Sequence, residues 1–296
     1  MSRDVPCFLE ARAALAGKVA LVAGGGGGLG RAVALDFARA GLELALCDRD
    51  VAALDDTVRE ARDLGARITS AAFDVRDSES LERFYGAVGL EHRRLDVLVN
   101  VVGGTFKSQF SDVSAKGVET LIRTNFTWIT QSIRLAAARM AESGRGGSII
   151  TITSIEGHRA APGYAVYAAM KAALAHLSRT LAVELGPSGI RVNCIAPDIV
   201  PTAGMLGLIG QGSSGSHEAG SPARDDGSYD PIDAIQIPLG RKGSEEDIGN
   251  CALFLASELS SYITGTTLHP DGGALASSGW LRWPEAGWTA RPPSPS

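Results

Sequence analysis

Long apolar runs are missing from this chain. No stretch approaches the roughly 20 consecutive apolar residues that a bilayer-spanning helix needs, so no membrane span is expected. The N-terminal MSRDVPCFLEARAAL carries charges of both signs early and has no apolar core, which argues against a secretory signal. A basic block is also lacking, and the formal net charge is -5. Nucleic-acid phosphates need a Lys/Arg face and anionic lipid needs a polybasic segment; neither partner is expected. Cysteine is sparse. Cys7, Cys47, Cys194 and Cys251 stand far apart, with no CxxC pair and no histidine cluster nearby. That spacing reads as reduced, mostly buried thiols in a cytoplasmic protein and leaves no metal site expected. What remains, 45% hydrophobic and 21% charged residues, is the balance of an ordinary soluble globular protein. The 296 residues fit one large domain or two small ones.

Alternation is what the chain has in abundance. Short apolar runs at 18–23, 42–47, 67–73, 95–99, 148–153 and 190–195 read as buried strands, with a last short one at 266–269. Between them, apolar residues at helical spacing predict helices over 29–39, 51–64, 78–88, 116–140, 164–185 and 245–256. Strand and helix in strict alternation imply right-handed crossovers and an α/β, doubly wound, mostly parallel sheet flanked by helices. Two stretches break the rhythm. Residues 204–233 are rich in Gly, Ser and Asp without a clear period, the mark of a functional or mobile loop. The tail 277–296 carries Trp280, Trp283 and Trp288 and ends in RPPSPS, whose last residues are expected to be disordered. The tryptophans are expected to pack on this subunit or a neighbour.

Between the first strand and the first helix lies Ala23 to Gly30, AGGGGGLG. Glycine loses more freedom on folding than any other residue, so such a run needs a reason. Bare backbone at a helix N-terminus can approach a pyrophosphate, where unpaired N–H groups and the positive dipole end await it. Gly25, Gly27 and Gly30 fit GxGxxG, while Gly24, Gly28 and Gly30 fit GxxxGxG; a tight strand–helix turn would serve as well. Asp48, at the end of the second strand and about 20 residues on, is placed to accept both hydroxyls of an adenosine ribose. The same carboxylate repels a 2′-phosphate, which favours NAD over NADP. Arg49, able to stack on adenine or pair with that phosphate, is the counter-argument. Capping of the next helix is the other role open to Asp48, and Asp50 can fill it instead. Asp74 and Val75 end the third strand in the same manner, either to meet an adenine amino group or to cap the helix that follows.

Tyr167 and Lys171 stand at i and i+4 of a predicted helix, on one face. Free tyrosine titrates near 10, and a cation within about 4–6 Å lowers that by about 1–3 units, towards the range of a general acid–base. Ser154 follows the fifth strand, at the sheet edge where ligands of open α/β folds bind. Its hydroxyl is placed to hold the substrate oxygen. A serine-nucleophile reading fails, because there is no GxSxG elbow for His158 or His176 to serve.

These residues together resemble the short-chain dehydrogenase/reductase family, single-domain type, and are similar to its hydroxysteroid and alicyclic alcohol dehydrogenases. AGGGGGLG stands for the family's TGxxxGxG, Asn100-Val-Val-Gly103 for NNAG, and Tyr167-Ala-Ala-Met-Lys171 for YxxxK, with Asp74-Val75, Asn125, Ser154, IRVNCIAP and Asp271-Gly272-Gly273 in step. The likeness runs over 15–276. It implies a Rossmann-type seven-stranded sheet in one domain, an N-terminal extension at 1–14, a substrate loop at 204–233 and a C-terminal tail. It further implies that Ser154 orients the substrate, Tyr167 is the acid–base, Lys171 binds the nicotinamide ribose, and Asn125 holds a water in a proton relay. Gly24, Gly28, Leu29 and Gly30, Asp48 with Arg49, Asp74 with Val75, Asn100 and Gly103 would line the dinucleotide, and Pro197 and Thr202 the nicotinamide. A homotetramer or homodimer is implied, built on the two long helices and the last strand.

Three positions depart from the pattern. Ala23 replaces a threonine and removes a side-chain hydrogen bond near the Asn100 turn. Val101-Val102 replaces Asn-Ala and removes a polar tie between strands. Asp198 replaces a glycine and puts a carboxylate near the nicotinamide, where it would oppose an anionic substrate group or point to solvent. Substrate choice is expected to lie in 104–109, 155–164 and 204–233. The expected activity is NAD-dependent interconversion of a secondary alcohol and a ketone, with cyclic or steroid-like alcohols among the candidates. Its rivals are an NADPH-dependent ketone or 3-oxoacyl thioester reductase, in which Arg49 selects the cofactor, and a non-catalytic dinucleotide sensor.

Overall fold

The computed structural model describes residues 8–202, 231–284 and 286–290. Most of the expected 204–233 loop, Cys7 and the final residues lie outside that range. Seven parallel strands form one sheet in the order β3-β2-β1-β4-β5-β6-β7. They are β1 Val19–Ala23, β2 Glu43–Asp48, β3 Ile68–Ala72, β4 Val97–Asn100, β5 Gly147–Ile152, β6 Ile190–Ile195 and β7 Thr267–Leu268. All five residues of β1, VALVA, are buried, as are all four of β4. Helices cover both faces, so these strands read as continuous apolar runs rather than as alternating ones.

Helices α1 Phe8–Ala13, α2 Gly28–Arg39, α3 Val51–Asp63, α4 Ser78–His92, α5 Ala115–Ile122, α6 Trp128–Ser143 and α7 Ala165–Leu185 follow in chain order. The period-two geometry of β1 splits its side chains between two cores. Ala20 and Val22 meet Val33 and Phe37 of α2 in one; Val19 and Leu21 join a cluster with Trp128 and Ile129 of α6 in the other. The chain leaves β1 in one direction through β2 and β3 and returns to β4 on its other side. That reversal opens a crevice at the carboxyl ends of β1 and β4, the ligand position of such sheets.

Elements agree with the expected ones to within a few residues, with four differences. The 78–88 helix runs on to His92. The 116–140 helix is broken by a π-turn at Arg123–Thr127. The short helices α1 and α8 (Pro231–Gln236) were not foreseen, each being 6 residues long and too short to show a period. In the tail, strands β8 Leu281–Trp283 and β9 Gly287–Thr289 form an antiparallel hairpin. Trp283 buries its indole nitrogen there, whereas Trp280 and Trp288 are 51% and 50% exposed. No described helix is long and apolar enough to cross a membrane.

Candidate active site

The glycine run separates into glycines the backbone requires and glycines it does not. Gly24 and Gly28 have φ of 96° and 52°, the left-handed region that side chains resist. A Cβ on Gly30 would collide with the Gly24 carbonyl oxygen, while one on Gly27 would meet nothing within 4 Å. Positive φ and backbone clash thus single out Gly24, Gly28 and Gly30, the GxxxGxG spacing, while Gly25 and Gly26 sit in tight contact with Leu46 and Asp48. Leu29 packs sideways into the core, which leaves the amide ends at the start of α2 facing the crevice.

Asp48 closes over this loop. One carboxylate oxygen accepts from the Gly26 N–H at 3.0 Å and the other from the Asp50 N–H at 3.1 Å. Asp50, not Asp48, caps α3 by accepting from the Ala53 N–H. A carboxylate has about four acceptor sites, so two stay available to ribose hydroxyls. Arg49 is exposed, and its charge reaches Asp74. Asp74 does not cap α4 either; Asp77 does. Instead Asp74 accepts from the Arg76 Nε at 2.9 and 3.0 Å, and that guanidinium holds its carboxyl below the usual range. The Val75 side chain is core, so only its backbone can face a ligand. Thr57 escaped the sequence reading. Its buried hydroxyl donates to the Gly26 carbonyl at 2.9 Å and fixes the loop from α3, yet no motif marks it.

The floor of the crevice is held without the two polar groups that the sequence lacks. Val101 and Val102 donate their backbone N–H groups to the Ala23 carbonyl at 3.0 and 3.4 Å. Asn100 is fully buried; it accepts from the Ser132 hydroxyl at 2.7 Å and donates to Thr151 at 3.5 Å. Its side chain is committed to the core, and only its backbone borders the crevice.

Asn125 lies in the π-turn, a feature that recurs at functional sites. The widened turn lets its amide donate to the Leu121 carbonyl at 2.9 Å and to the Gly104 carbonyl at 2.8 Å, while its oxygen accepts from the Gly104 N–H at 3.1 Å. Gly103 lies against both Asn125 and Lys171. A Cβ there would stand 3.0 Å from the Asn125 oxygen and 3.2 Å from the Lys171 Nζ. Asn125 and Lys171 therefore converge on one point.

Ser154 follows β5 and accepts from the Glu156 N–H at 3.2 Å, so it caps a short turn. Its hydroxyl also acts on the Tyr167 phenol, drawing its pKa down. Lys171 sits one helical turn beyond Tyr167, with Nζ 5.5 Å from the centre of the phenol ring, and donates to the Ile152 carbonyl at 3.0 Å. Here the structure departs from the expected tuning. Burial pushes the Tyr167 phenol above 10.0, the Ser154 hydroxyl opposes that rise, and nearby Glu156 adds to it. The Lys171 ammonium is itself desolvated, and burial lowers it to about 8, which leaves it charged at neutral pH. Titration of the free protein, followed by ultraviolet phenolate absorbance against Tyr167→Phe, should therefore place the Tyr167 step above pH 10. A step below pH 9 would contradict the burial argument.

Pro197 is buried, and its carbonyl accepts from the Ile155 N–H at 3.1 Å. Thr202 lies against Gly28, 3.3 Å from where its Cβ would be. Asp198 neither faces solvent nor stands alone; it pairs with Arg159 at 3.6 Å and is 14% exposed. The structure thus gathers Ser154, Tyr167, Lys171, Asn125 and Gly103 at the carboxyl ends of β4 and β5. Asp48 and the glycine loop lie along the same edge of the sheet at β1 and β2. A parallel doubly wound sheet with this edge defines an oxidoreductase of the Rossmann type.

The comparisons agree. The sequence model of the family described as Enoyl-(Acyl carrier protein) reductase matches residues 24–274. Cyclohexanol dehydrogenase of Rhodococcus sp. (strain TK6) is 34% identical over 277 residues, covering 88% of this chain and 96% of that protein. A 3-oxoacyl-(acyl-carrier-protein) reductase of Thermotoga maritima is 31% identical, covering 88% of this chain and 99% of that protein. Among solved structures, carveol dehydrogenase from Mycobacterium avium in complex with NAD superposes with a TM-score of 0.80 at 31% identity, covering 88% and 98%. The chain belongs to the short-chain dehydrogenase/reductase family.

Proposed function

We propose that this protein interconverts a secondary alcohol and its ketone with NAD(H), and that the alcohol carries a ring. The observation that carries the reading is the convergence of Ser154, Tyr167 and Lys171 beside a glycine loop held by Asp48. The residues fit a dinucleotide. Gly24, Gly28 and Gly30 leave the backbone room for a pyrophosphate, and Leu29 keeps its side chain out of the way. Asp48 retains acceptor capacity for the ribose, Asp74 and Val75 would border the adenine, and Asn100, Gly103, Pro197 and Thr202 the nicotinamide. When bound, that group supplies or takes the hydride.

The chain's own part is proton handling and position. In oxidation Ser154 holds the substrate oxygen, and Tyr167 takes its proton as the carbon–hydrogen bond breaks. Lys171, charged at neutral pH and 5.5 Å from the centre of the ring, binds the nicotinamide ribose. Asn125, converging with Lys171, passes the proton outward through a held water. Reduction runs the same steps backwards. The ring preference draws on the cyclohexanol and carveol relatives. Assembly as a homotetramer, or a homodimer, through the two long helices and the last strand belongs to the same reading.

Binding of NADH against NADPH, read by quenching of tryptophan fluorescence, tests the cofactor assignment. NADH is expected to bind at least about tenfold tighter, or ~1.4 kcal/mol, and Asp48→Ala to erase the difference. A second reading, reduction of 3-oxoacyl thioesters with NADPH, rests on exposed Arg49 beside Asp48 and on the Thermotoga relative. Tighter NADPH binding by the wild type would put that reading first.

A further inference from the structure

Two loops meet beside Ser154 and carry charge that proton transfer does not require. The Ile155 N–H donates to the Pro197 carbonyl, which sets Glu156 next to Asp198. Arg159 bridges them, 2.8 Å from a Glu156 carboxylate oxygen and 3.6 Å from one of Asp198. Asp271, whose carboxylate accepts from the Gly273 and Leu275 N–H groups, acts on both Arg159 and Asp198. One guanidinium therefore faces three carboxylates. Glu156 and Asp198 keep 25% and 14% of their side-chain surface, so they stand in the rim and not out in solvent. Glu156 also acts on the Tyr167 phenol, which puts this group within electrostatic reach of the reacting centre. Among the described residues the other nearby cations do not balance it: Lys171 points to the Ile152 carbonyl, and Arg179 bears on His158 and Cys194.

We propose that Glu156 and Asp198, bridged by Arg159, select substrate by charge, admitting neutral alcohols and ketones and rejecting those with a carboxylate or phosphate close to the reacting carbon. The inference rests on the oxidoreductase reading and adds a substrate class to it. It also weighs against acyl thioesters presented on an acidic carrier. Charges this close, in a partly desolvated rim, are poorly screened.

The test compares cyclohexanone with 3-oxocyclohexanecarboxylate, each reduced by wild type, Asp198→Asn, Glu156→Gln and Arg159→Gln. Wild type should favour the neutral ketone by at least about tenfold in kcat/KM, mostly through KM. Asp198→Asn and Glu156→Gln should each narrow that ratio by roughly threefold or more, and Arg159→Gln should widen it. A ratio indifferent to all three variants overturns the proposal. So does a wild-type preference for the anion that Arg159→Gln removes, which would make Arg159 a carboxylate receptor. If neither ketone is reduced, the ring-alcohol reading fails, and the charge effect is read on Tyr167 itself. Its ultraviolet titration should then move down in Glu156→Gln; an unmoved step overturns the proposal.

Discussion

Tyr167→Phe is expected to lower kcat by roughly 10²–10⁴-fold, the usual share of a positioned acid–base, while dinucleotide affinity and thermal stability stay near wild type. The phenyl ring keeps the packing of the buried residue and loses only the hydroxyl on which Ser154 acts. Lys171→Met should cost a similar factor in kcat and should also weaken dinucleotide binding, since the ammonium it removes is the charge held beside the ring. Because both act on one proton, the double variant should lose little beyond the worse single one. Steady-state kinetics and fluorescence quenching on the same preparations separate these effects. If Tyr167→Phe retained more than a tenth of wild-type kcat, the phenol would not be the acid–base. A wild type that binds NADH tightly yet turns over no alcohol or ketone in a broad panel would instead be the dinucleotide sensor.

The second large effect contrasts two glycines of one loop. Gly30→Ala forces a Cβ onto the Gly24 carbonyl, a backbone atom that cannot rotate away. The expected cost is about 3 kcal/mol or more, at the upper end of overpacking, together with loss of measurable NADH binding. Gly27→Ala meets open space at an extended φ of -149°. It should change stability by less than ~0.5 kcal/mol, and NADH titration then reads whether the pyrophosphate needs that space. Thermal melts and NADH titrations of the two proteins decide the point. Equal losses at both positions would mean that the loop needs its freedom as a whole rather than at Gly24, Gly28 and Gly30.

Much of this was legible in the chain, for physical reasons. A strand buried on both faces must be apolar at every position, so KVALVA and LDVLV announce themselves, and their spacing leaves room only for crossover helices. The chemistry-bearing residues were legible because each sits at a fixed distance from an element boundary: Ser154 after β5, Tyr167 and Lys171 one turn apart on α7. Which of the six glycines mattered was not, because both templates fit and only φ and the Gly24 carbonyl distinguish them. Nor was the raised Tyr167, since a helical spacing shows the neighbouring cation and hides the burial. The link from Arg159 to Asp198 spans loops far apart in sequence, where no periodicity reaches. RTNFT reads the same in an α-turn as in a π-turn, so the break at Asn125 left no trace.

That break has a consequence for how the family can change length. A π-turn holds one residue more than the α-turn it replaces, so the stretch Arg123–Thr127 is a spare unit in an otherwise regular helix. Deleting one residue there would restore an unbroken helix, and backbone hydrogen bonding would improve. Because the π-turn already absorbs the extra residue, the helix on either side would keep its orientation and its buried face. The fold would survive such a deletion, and Asn125 would leave the crevice. A variant shortened by one residue at this point should thus be at least as stable as its parent and far less active, which sets length drift in this helix against catalysis and not against folding.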